Sequence, residues 1–504
     1  MKSETFLRTS AAAICLIFLL MSGREVRAMG AGPEMLDIST TEFFKPYNDP
    51  DSGKYLVEFT YPGVFLGTED QEKYPRLASA VDALRAEIET QAEAEYAEYT
   101  SAALERFTES PEYFDLYLNT NEFSVRRADS VVLSLLGTYE TYMGGAHGMH
   151  GHTAVTFDTE TGKRLALQDV STDVDALLRE VDAQVRKDYP DLSFMNGDDM
   201  ISAKNLEYFS WTLESDGITF YFDPYLLGAY AEGSQCVRIP FRGNEQLFKT
   251  EYLMVPGNYA WQFPDGDLLI ADLDGDGETE RGSVWASGNE NGAFDSFDIA
   301  VGGSSYTETV YHYDRSAVFI HTMSGDFVYM ELFFDNDYRQ IYVYEITGGT
   351  VRKAGETDLG LRTLTDGYPE GFLPTRQLTD PGHFELQTRT DALSTSNAWR
   401  HYHVGEDGLP VPEEDWFYIT NARNLTLKRA LAVNLVDEGG GSAGSADLPA
   451  GTSLALYRTD DASYVDLKLT DGRIARIPVS LGSWPIIVAG MDAQELFDGM
   501  MFAG

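Results

Sequence analysis

Apolar residues recur every three or four positions over residues 74–107, which places them along one side of an α-helix. The pattern predicts a long amphipathic helix, continuous or broken once, with a glutamate-rich face toward solvent. The same spacing returns in a shorter stretch that follows Thr172, a suitable N-cap residue, and that ends at the helix-stopping Pro190. We therefore expect two helices in the first half of the chain.

Short runs rich in β-branched and aromatic residues predict strands between and after these helices. Asp216 and Gly217 form the clearest turn signal, because Asp-Gly tolerates the positive φ angles of a tight hairpin. The strands predicted for the first half are residues 54–61, 112–119, 122–141, 152–158, 208–214, 217–222 and 236–241. This half is therefore predicted to be an α+β fold in which both helices pack on an antiparallel sheet.

Beyond Gly243 the pattern becomes nearly all β. We read residues 354–399 as a loop-rich region and residues 438–447 as a flexible Gly/Ser loop. The last three strands suggest a small module of SH3-like shape. The strands predicted for this half are residues 306–313, 317–323, 327–334, 340–346, 454–457, 464–470 and 473–479.

The N-terminus has the features of an export signal. Residues 11–21 form an apolar run behind basic residues, and Val26 and Ala28 stand at the two positions that signal peptidase reads. The run is well short of the roughly 20 residues that cross a bilayer. We expect a cleaved signal peptide at residues 1–28, a linker at residues 29–47, and a secreted or extracellular, envelope-associated protein without a transmembrane segment. The alternative is an uncleaved anchor.

The chain is strongly acidic, with 81 Asp and Glu against 37 Lys and Arg and a formal net charge of −44. Loss of residues 1–28 removes four basic and two acidic side chains, so the mature charge would be −46. Such a field repels nucleic acid and anionic lipid and attracts cationic partners. Solubility alone is an equally simple reason for the charge.

Several short motifs follow one another between Arg127 and Phe241: Tyr142-Met143-Gly144-Gly145-Ala146-His147, Phe157-Asp158, Thr161-Gly162-Lys163, Asp216-Gly217-Ile218-Thr219-Phe220, Pro224-Tyr225 and Tyr230-Ala231-Glu232-Gly233. In order and spacing they resemble the RsiV-like domain. The preceding part resembles the PdaC N-terminal domain that commonly accompanies it. The expected domains are 48–155 (PdaC-like), 156–245 (RsiV-like), 250–350 (β-rich) and 351–504 (β-rich, with the small barrel-like module).

The resemblance implies an extracellular α+β module of Gram-positive bacteria. In the anti-sigma factor RsiV this ectodomain binds lysozyme, and in PdaC it precedes a polysaccharide deacetylase domain. Neither a cytoplasmic sigma-binding segment nor the deacetylase metal motif is found in the sequence. The expected function is therefore non-catalytic recognition of lysozyme or cell-wall glycan. The alternatives are a glycan-modifying enzyme, either a hydrolase or a deacetylase-associated protein, and a purely structural envelope protein.

An acidic loop supplies the sharpest chemical signal in the chain. Calcium prefers six to eight oxygen ligands, and alternating carboxylates can provide several of them around a turn. Strands are expected on both sides of the loop, so it resembles the calcium loops of integrin-type β-repeats. The alternative is a charged hairpin without an ion. The predicted calcium ligands are the carboxylates of Asp272, Asp274, Asp276 and Glu280 and the main-chain carbonyl of Glu278.

The remaining chemical candidates favour structural roles. His147, His150 and His152 form a cluster without a carboxylate or cysteine at ligand spacing, so we interpret them as part of a turn and a strand. Residues 440–444 match a nucleophile-elbow motif but lack the strand and helix that an elbow requires. No catalytic residues and no organic cofactor are predicted.

Overall fold

The computed structural model describes residues 32–197, 199–263, 268–288, 292–365, 373–420, 423–481 and 484–502. The predicted signal peptide lies outside these residues. Within them the strands form five sheets, of seven, three, five, four and fourteen strands. None of the helices in this described part is long and apolar enough to cross a membrane.

The first sheet pairs its strands in the order β1-β3-β4-β5-β6, with β2 beside β3. These strands are β1 Ile38–Phe44, β2 Tyr47–Asn48, β3 Tyr55–Leu66, β4 Tyr117–Ala128, β5 Val132–Tyr142 and β6 Met149–Asp158. All pairs are antiparallel except β3 with β4, which run parallel. A parallel pair requires a long crossover, and the helical segment between these strands supplies it.

That crossover contains α1 (Thr68–Lys73) and α2 (Pro75–Glu109), and α2 is the long helix predicted from the periodicity. It runs without a break for 35 residues, with proline at its first position, where the missing N–H costs no helical hydrogen bond. Its buried residues continue the apolar stripe of the sequence: Leu77, Val81, Leu84, Ala92, Tyr99 and Ala103.

The linker predicted at residues 29–47 is wrong over its second half. Residues 38–44 form β1, which pairs with β3 along its whole length and buries Ile38 completely. Gly, Pro, Asn and Asp residues, which are typical of turns and linkers, lie on both sides of this strand, so the sequence pattern did not indicate it. The predicted domain boundary after residue 155 also falls inside β6, which extends the first sheet to Asp158.

The second unit is a three-stranded antiparallel sheet on which a helix packs. Its elements are α3 Leu167–Val170, α4 Val174–Asp188, β7 Ser210–Leu213, β8 Gly217–Phe222 and β9 Gln235–Pro240. Asp173, rather than the predicted Thr172, caps α4, because its carboxylate accepts the N–H of Ala176 at 2.9 Å. The Thr172 hydroxyl instead donates to the carbonyl of Gln246 at 2.6 Å.

The next nine strands form two antiparallel sheets that share one hydrophobic core. They are β10 Tyr259–Phe263, β11 Leu268–Ala271, β12 Glu280–Gly288, β13 Phe294–Val301, β14 Ser304–Glu308, β15 Asp314–Thr322, β16 Gly325–Phe333, β17 Arg339–Glu345 and β18 Arg352–Thr357. One sheet has the order β10-β15-β16-β17-β18 and the other β11-β12-β13-β14. Opposed apolar faces of this kind define a β-sandwich.

The C-terminal region forms the fourteen-stranded sheet and carries α5 (Ala493–Leu496). Its strands are β19 Gly360–Leu361, β20 Thr375–Arg376, β21 Phe384–Thr390, β22 Ser396–Val404, β23 Pro410–Pro412, β24 Phe417–Ile419, β25 Asn424–Leu427, β26 Leu431–Val436, β27 Ser442–Leu448, β28 Ser453–Thr459, β29 Tyr464–Leu469, β30 Ile474–Ser480, β31 Ile487–Val488, β32 Met491–Asp492 and β33 Phe497–Asp498. Of these, β20 pairs with β1 and belongs to the first sheet. The α+β half followed by a mostly-β half is confirmed.

Two predicted loops in this region are wrong in part. The loop-rich stretch 354–399 contains β21 and part of β22, and the Gly/Ser loop 438–447 contains most of β27. The side chains of β27 are mostly exposed, and its order comes from backbone pairing with β26. A strand without a buried face has no apolar alternation to detect.

A buried cluster of arginines and carboxylates connects the first three units. Arg126 of β4 bonds Glu214 at 3.1 Å and the carbonyl of Gln262 at 2.9 Å. Arg238 of β9 lies 3.5 Å from the same Glu214 carboxylate and 2.9 Å from Asp216. Charges removed from water need close partners, so each member of this cluster depends on the others.

Glu214→Ala should lower the free energy of unfolding by about 3–5 kcal/mol, because it leaves two buried guanidinium groups with one carboxylate fewer. Glu207→Ala, at an exposed position in the same unit, should stay within about 0.5 kcal/mol of the parent. Denaturant unfolding of both variants measures the difference. Equal stability of the two would show that the cluster contributes little.

Candidate functional site

The acidic loop joins β11 to β12 at the seam between the β-sandwich and the second unit. Gly275 and Gly277 within it have φ angles of +76° and +93°, a region in which a Cβ atom is strained. Glycine at these two positions lets the chain fold back sharply between the aspartates. The loop therefore presents its carboxylates toward a common centre.

Asp272, Asp274 and Asp276 each offer a carboxylate oxygen within 4.8 Å of the others. Backbone N–H groups hold them: Gly277 donates to Asp272 at 3.1 Å and Asp276 donates to Asp274 at 3.0 Å. The Oδ1 atom of Asp272 is buried and has no hydrogen-bond partner within the described residues. Three converging carboxylates, one with an unused buried oxygen, have the chemistry of a hard-cation site.

The side chains of the other two predicted residues point elsewhere. Glu278 forms an ion pair with Lys187 at the end of α4. Glu280 accepts the N–H of Leu273 at 2.7 Å. Burial raises the pKa of Glu280; that N–H opposes the rise, and the carboxylates of Asp274 and Asp272 add to it. The structure thus brings together three of the four carboxylates that the spacing predicted as ligands, and the ion pair of Glu278 does not involve the carbonyl predicted for that residue.

Side chains around the loop tie it to the second unit. Besides the Glu278–Lys187 pair, Arg281 bonds Asp188 at 2.9 Å and the carbonyl of Cys236 at 2.9 Å. These contacts reach both α4 and β9. An ion in the loop would therefore act on the junction between two units as well as on the hairpin.

A second candidate site is a cluster that we call the aromatic surface. It consists of exposed His147 and Tyr225 and half-buried His150 and Tyr230, with exposed Met143 and Met149 in the β5–β6 hairpin that carries the histidines. The ring of Tyr230 stacks on His147 at 3.9 Å, and its centroid lies 5.6 Å from Tyr225 and 5.8 Å from His150. Its hydroxyl donates to the carbonyl of Gly148 at 2.9 Å. Residues far apart in the sequence thus form one apolar surface.

Exposure distinguishes this cluster from ordinary core packing. Tyr225 is 42% exposed, Met149 38% and Met143 37%. Adjacent exposed aromatic and methionine side chains are typical of binding surfaces. Carboxylates border the cluster: Asp115 accepts from the Tyr142 hydroxyl at 3.3 Å, and exposed Glu140 lies opposite His150 in the sheet.

The three clustered histidines do not converge on one point. His147 Nδ1 lies 2.8 Å from the carbonyl of Gly148, whereas His152 Nδ1 lies 2.8 Å from Asp223 and its ring stacks on Tyr221. In the part of the chain that the structure describes, Asp272, Asp274 and Asp276 form the one group that meets the distances of a shared metal ion. The histidines serve packing and hydrogen bonding.

Tyr225 has a left-handed backbone conformation, with φ at +72°. The Asn196 side-chain amide donates to the carbonyls of Tyr225 and Leu226 at 2.7 and 2.9 Å and holds this turn. A bulky residue in this region is strained, and such strain concentrates at functional positions. The sequence motifs named most members of the aromatic surface, but neither their contact nor this strain could be read from them.

The geometry defines a multi-sheet α+β protein with an acidic loop and an exposed aromatic surface. The family described as a protein of unknown function, DUF3298, matches residues 167–242, which are the second unit. This family is also found in PdaC- and RsiV-like proteins, so the coarse resemblance is confirmed. A search of curated proteins gave no match.

Two solved structures of DUF3298 proteins are similar to this chain. A family member from Bacteroides fragilis has 19% identity and a TM-score of 0.35, covering 44% of this chain and 98% of its own. A family protein from Pseudomonas aeruginosa has 16% identity and a TM-score of 0.29, covering 43% of this chain and 96% of its own.

Replacing Tyr225 tests the backbone strain. Tyr225→Gly and Tyr225→Ala remove the same ring, but glycine alone accepts the positive φ without steric cost. The glycine variant should therefore be more stable than the alanine variant by about 1–2 kcal/mol in denaturant unfolding. Equal stabilities would mean that the turn relaxes and stores no strain.

Proposed function

We propose that this protein is a secreted, non-catalytic recognition protein of the cell envelope whose aromatic surface binds a cationic protein of the lysozyme type. The observation that carries the proposal is the partly exposed cluster of His147, Tyr225 and Tyr230 with its acidic border. Cell-wall glycan is the second candidate ligand, since sugar rings also stack on aromatic side chains. The resemblance to PdaC- and RsiV-like proteins supports both ligands.

Charge favours the cationic protein over the glycan. The chain carries a net charge of −44, and carboxylates at Asp115 and Glu140 lie beside the aromatic surface. Such a surface steers a basic protein and orients it on encounter. Aromatic anchors then supply most of the binding energy once water is displaced.

The geometry near the aromatic surface gives less support to an enzyme. Near it, His152 and Asp223 form a hydrogen-bonded pair with acid–base chemistry, at 2.8 Å. The His152 side chain is only 8% exposed and is stacked on Tyr221 at 4.9 Å. A buried imidazole that already bonds a carboxylate serves better to hold β6 against β8 than to reach a glycosidic bond.

Calorimetric titration of residues 29–504 with lysozyme tests the proposal, with calcium present and salt at about 0.15 M, where distant charges are screened. We expect saturable binding. The parent and Tyr225→Gly are compared because the glycine variant relieves backbone strain while it removes the exposed ring. Loss of a central aromatic anchor should weaken binding about 30-fold or more.

Tyr208→Ala is the matched control, because this tyrosine is also exposed and lies outside the aromatic surface. It should bind lysozyme like the parent. An unrelated protein of similar size and positive charge should bind weakly or not at all. Equal weak binding of both proteins would contradict the proposal, and product release from purified peptidoglycan would favour the enzymatic alternative.

The acidic loop adds a cofactor to the proposal: calcium, held by Asp272, Asp274 and Asp276. Clustered like charges repel, and a bound divalent cation would remove that repulsion. Because Glu278 and Arg281 fasten the same hairpin to α4, calcium would stiffen the junction beside the DUF3298 unit. Its role would be structural.

Calcium should raise the melting temperature of the mature protein, and a chelator should reverse the increase. Asp274→Asn should abolish the response because it removes a carboxylate from the converging set. Glu278→Gln keeps the loop backbone and changes a side chain paired with Lys187, so its response should remain. A calcium response that persists in Asp274→Asn would place the ion elsewhere.

A further inference from the structure

A cleft of about 460 Å³ lies where the first sheet meets the C-terminal sheet. Asp37, just before β1, and Glu69 and Asp70 of α1 form one wall. Residues that follow β20 and residues of β21 and β22 form the other. Its volume is that of a site for a small organic ligand.

The cleft has more carboxylates than available cations. Its acidic lining residues are Asp37, Glu69, Asp70, Asp380 and Glu385. The one arginine among the lining residues, Arg376, already bonds Asp37 at 2.7 Å and Glu385 at 2.5 Å. Both terminal nitrogens of Arg376 are therefore taken up by two of these carboxylates, while its buried Nε has no hydrogen-bond partner among the described residues.

The two lining histidines are engaged as well. His383 Nδ1 lies 3.0 Å from Glu413, and His401 Nδ1 lies 2.5 Å from Glu414. The other ring nitrogen of His401 is 3.5 Å from Glu385. If either imidazole is protonated, its positive charge therefore lies against a carboxylate that it already contacts at the edge of the cleft.

Asp70 and Asp380 have basic neighbours, Lys73 and His383, which partly oppose the effect of burial on their pKa values but form no ion pair with them. Neither carboxylate has a basic side chain within 4 Å among the residues that the structure describes; their hydrogen bonds come from the backbone N–H groups of Asp37 and Gly382, each at 2.7 Å. Burial raises the pKa of both carboxyl groups. A positive charge in the cleft would therefore find two partners.

Gln377 gives an independent sign of a missing ligand. It lines the cleft, is 6% exposed, and donates through Nε2 to Thr40 at 2.7 Å and to the carbonyl of Thr375 at 2.9 Å. These two bonds fix the orientation of the Gln377 amide, so its oxygen points away from Thr40 and from the Thr375 carbonyl. The buried Oε1 atom accepts no hydrogen bond from the described part of the chain. Such an acceptor requires a donor.

The spacing of these groups distinguishes between kinds of cation. The carboxylates of the cleft do not form a set with oxygens within 4.8 Å of one another; among the described residues the acidic loop alone supplies such a set. A metal ion would therefore find no set of three carboxylates in this cleft. A guanidinium or ammonium group on a carbon chain has several N–H donors and can reach separated acceptors.

We propose that this cleft binds an organic cation, with a guanidinium or primary ammonium group held by Asp70, Asp380 and Gln377. The ligand is either a free amine or guanidine compound or the arginine or lysine side chain of another protein. Both sources present the same chemistry to the cleft.

This site is separate from the aromatic surface. The hairpin that carries His147 stands beside Val57 in the sheet, because Val57 pairs with Tyr117 and Leu118 pairs with Tyr142. The cleft is lined from Gly67, the residue after β3 and ten residues beyond Val57, which is about 33 Å at the usual strand rise. The proposal therefore does not depend on lysozyme recognition.

Calorimetric titration of residues 29–504 with Nα-acetyl-arginine amide at about 0.15 M salt tests the proposal, with the citrulline analogue as the uncharged counterpart. We expect one saturable site for the arginine compound and binding at least tenfold weaker for citrulline. Asp70→Asn and Asp380→Asn keep an acceptor for their backbone N–H groups and should each weaken binding about tenfold. Glu160→Gln, an equal charge change at an exposed position, should leave it unchanged.

A capped heptapeptide with one central arginine distinguishes the two sources. Binding equal to that of the single amino acid assigns the site to protein side chains, and exclusion of the peptide assigns it to free small molecules. Three outcomes would overturn the proposal: no saturable binding, equal binding by all variants, or one-for-one displacement of the arginine compound by calcium in Asp274→Asn protein. Thermal unfolding of each variant confirms that it is folded.

Discussion

The structure depends on a buried junction at which three units share their charges. Arg126 and Arg238 flank the indole of Trp261, at 4.2 and 4.9 Å from the ring, and both face Glu214. Beside them Arg127 bonds Asp129 at 2.7 Å and the carbonyl of Met254 at 2.7 Å. β4, the β7–β8 hairpin and the start of the sandwich therefore meet in one dry, charge-balanced cluster. Removing any one of these side chains would leave a buried charged group without its partner.

This junction explains why both candidate sites have fixed geometry. The β5–β6 hairpin carries His147 and belongs to the sheet that contains Arg126, while Tyr225 and Tyr230 belong to the unit that contains Arg238. The aromatic surface is assembled from two units, which are held together by this junction and by the His152–Asp223 and Tyr230–Gly148 hydrogen bonds. The Arg281–Asp188 ion pair beside the acidic loop is a second contact between units, and it limits rotation of the units about the buried arginine junction.

Sequence patterns predicted those helices and turns whose formation depends on residues close together in the chain. Helix α2, helix α4 and the hairpin at Asp216 follow from periodicity, stop signals and turn chemistry, and the aspartate spacing located the metal-like loop. β1 was missed because it is ordered by β3, a strand beyond an intervening turn segment. β27 was missed because it forms a hairpin with β26 but leaves most of its side chains exposed, so it has no apolar alternation. The same limit applies to the sites: the ion pair between Glu278 and Lys187, 91 residues apart, could not be predicted from the spacing within the loop.

The positions of the carboxylates in the structure indicate a binding site, whereas the net charge alone does not. A net charge of −44 is compatible with solubility, and most of its carboxylates are exposed or paired. At Asp70 and Asp380 they are instead partly desolvated and lack basic partners within the described residues, and a buried glutamine oxygen beside them is unsatisfied. Desolvating an unpaired carboxylate destabilises the fold, so solubility gives no reason for this arrangement. A cationic ligand would offset that penalty, which is why the cleft, and not the overall charge, indicates binding.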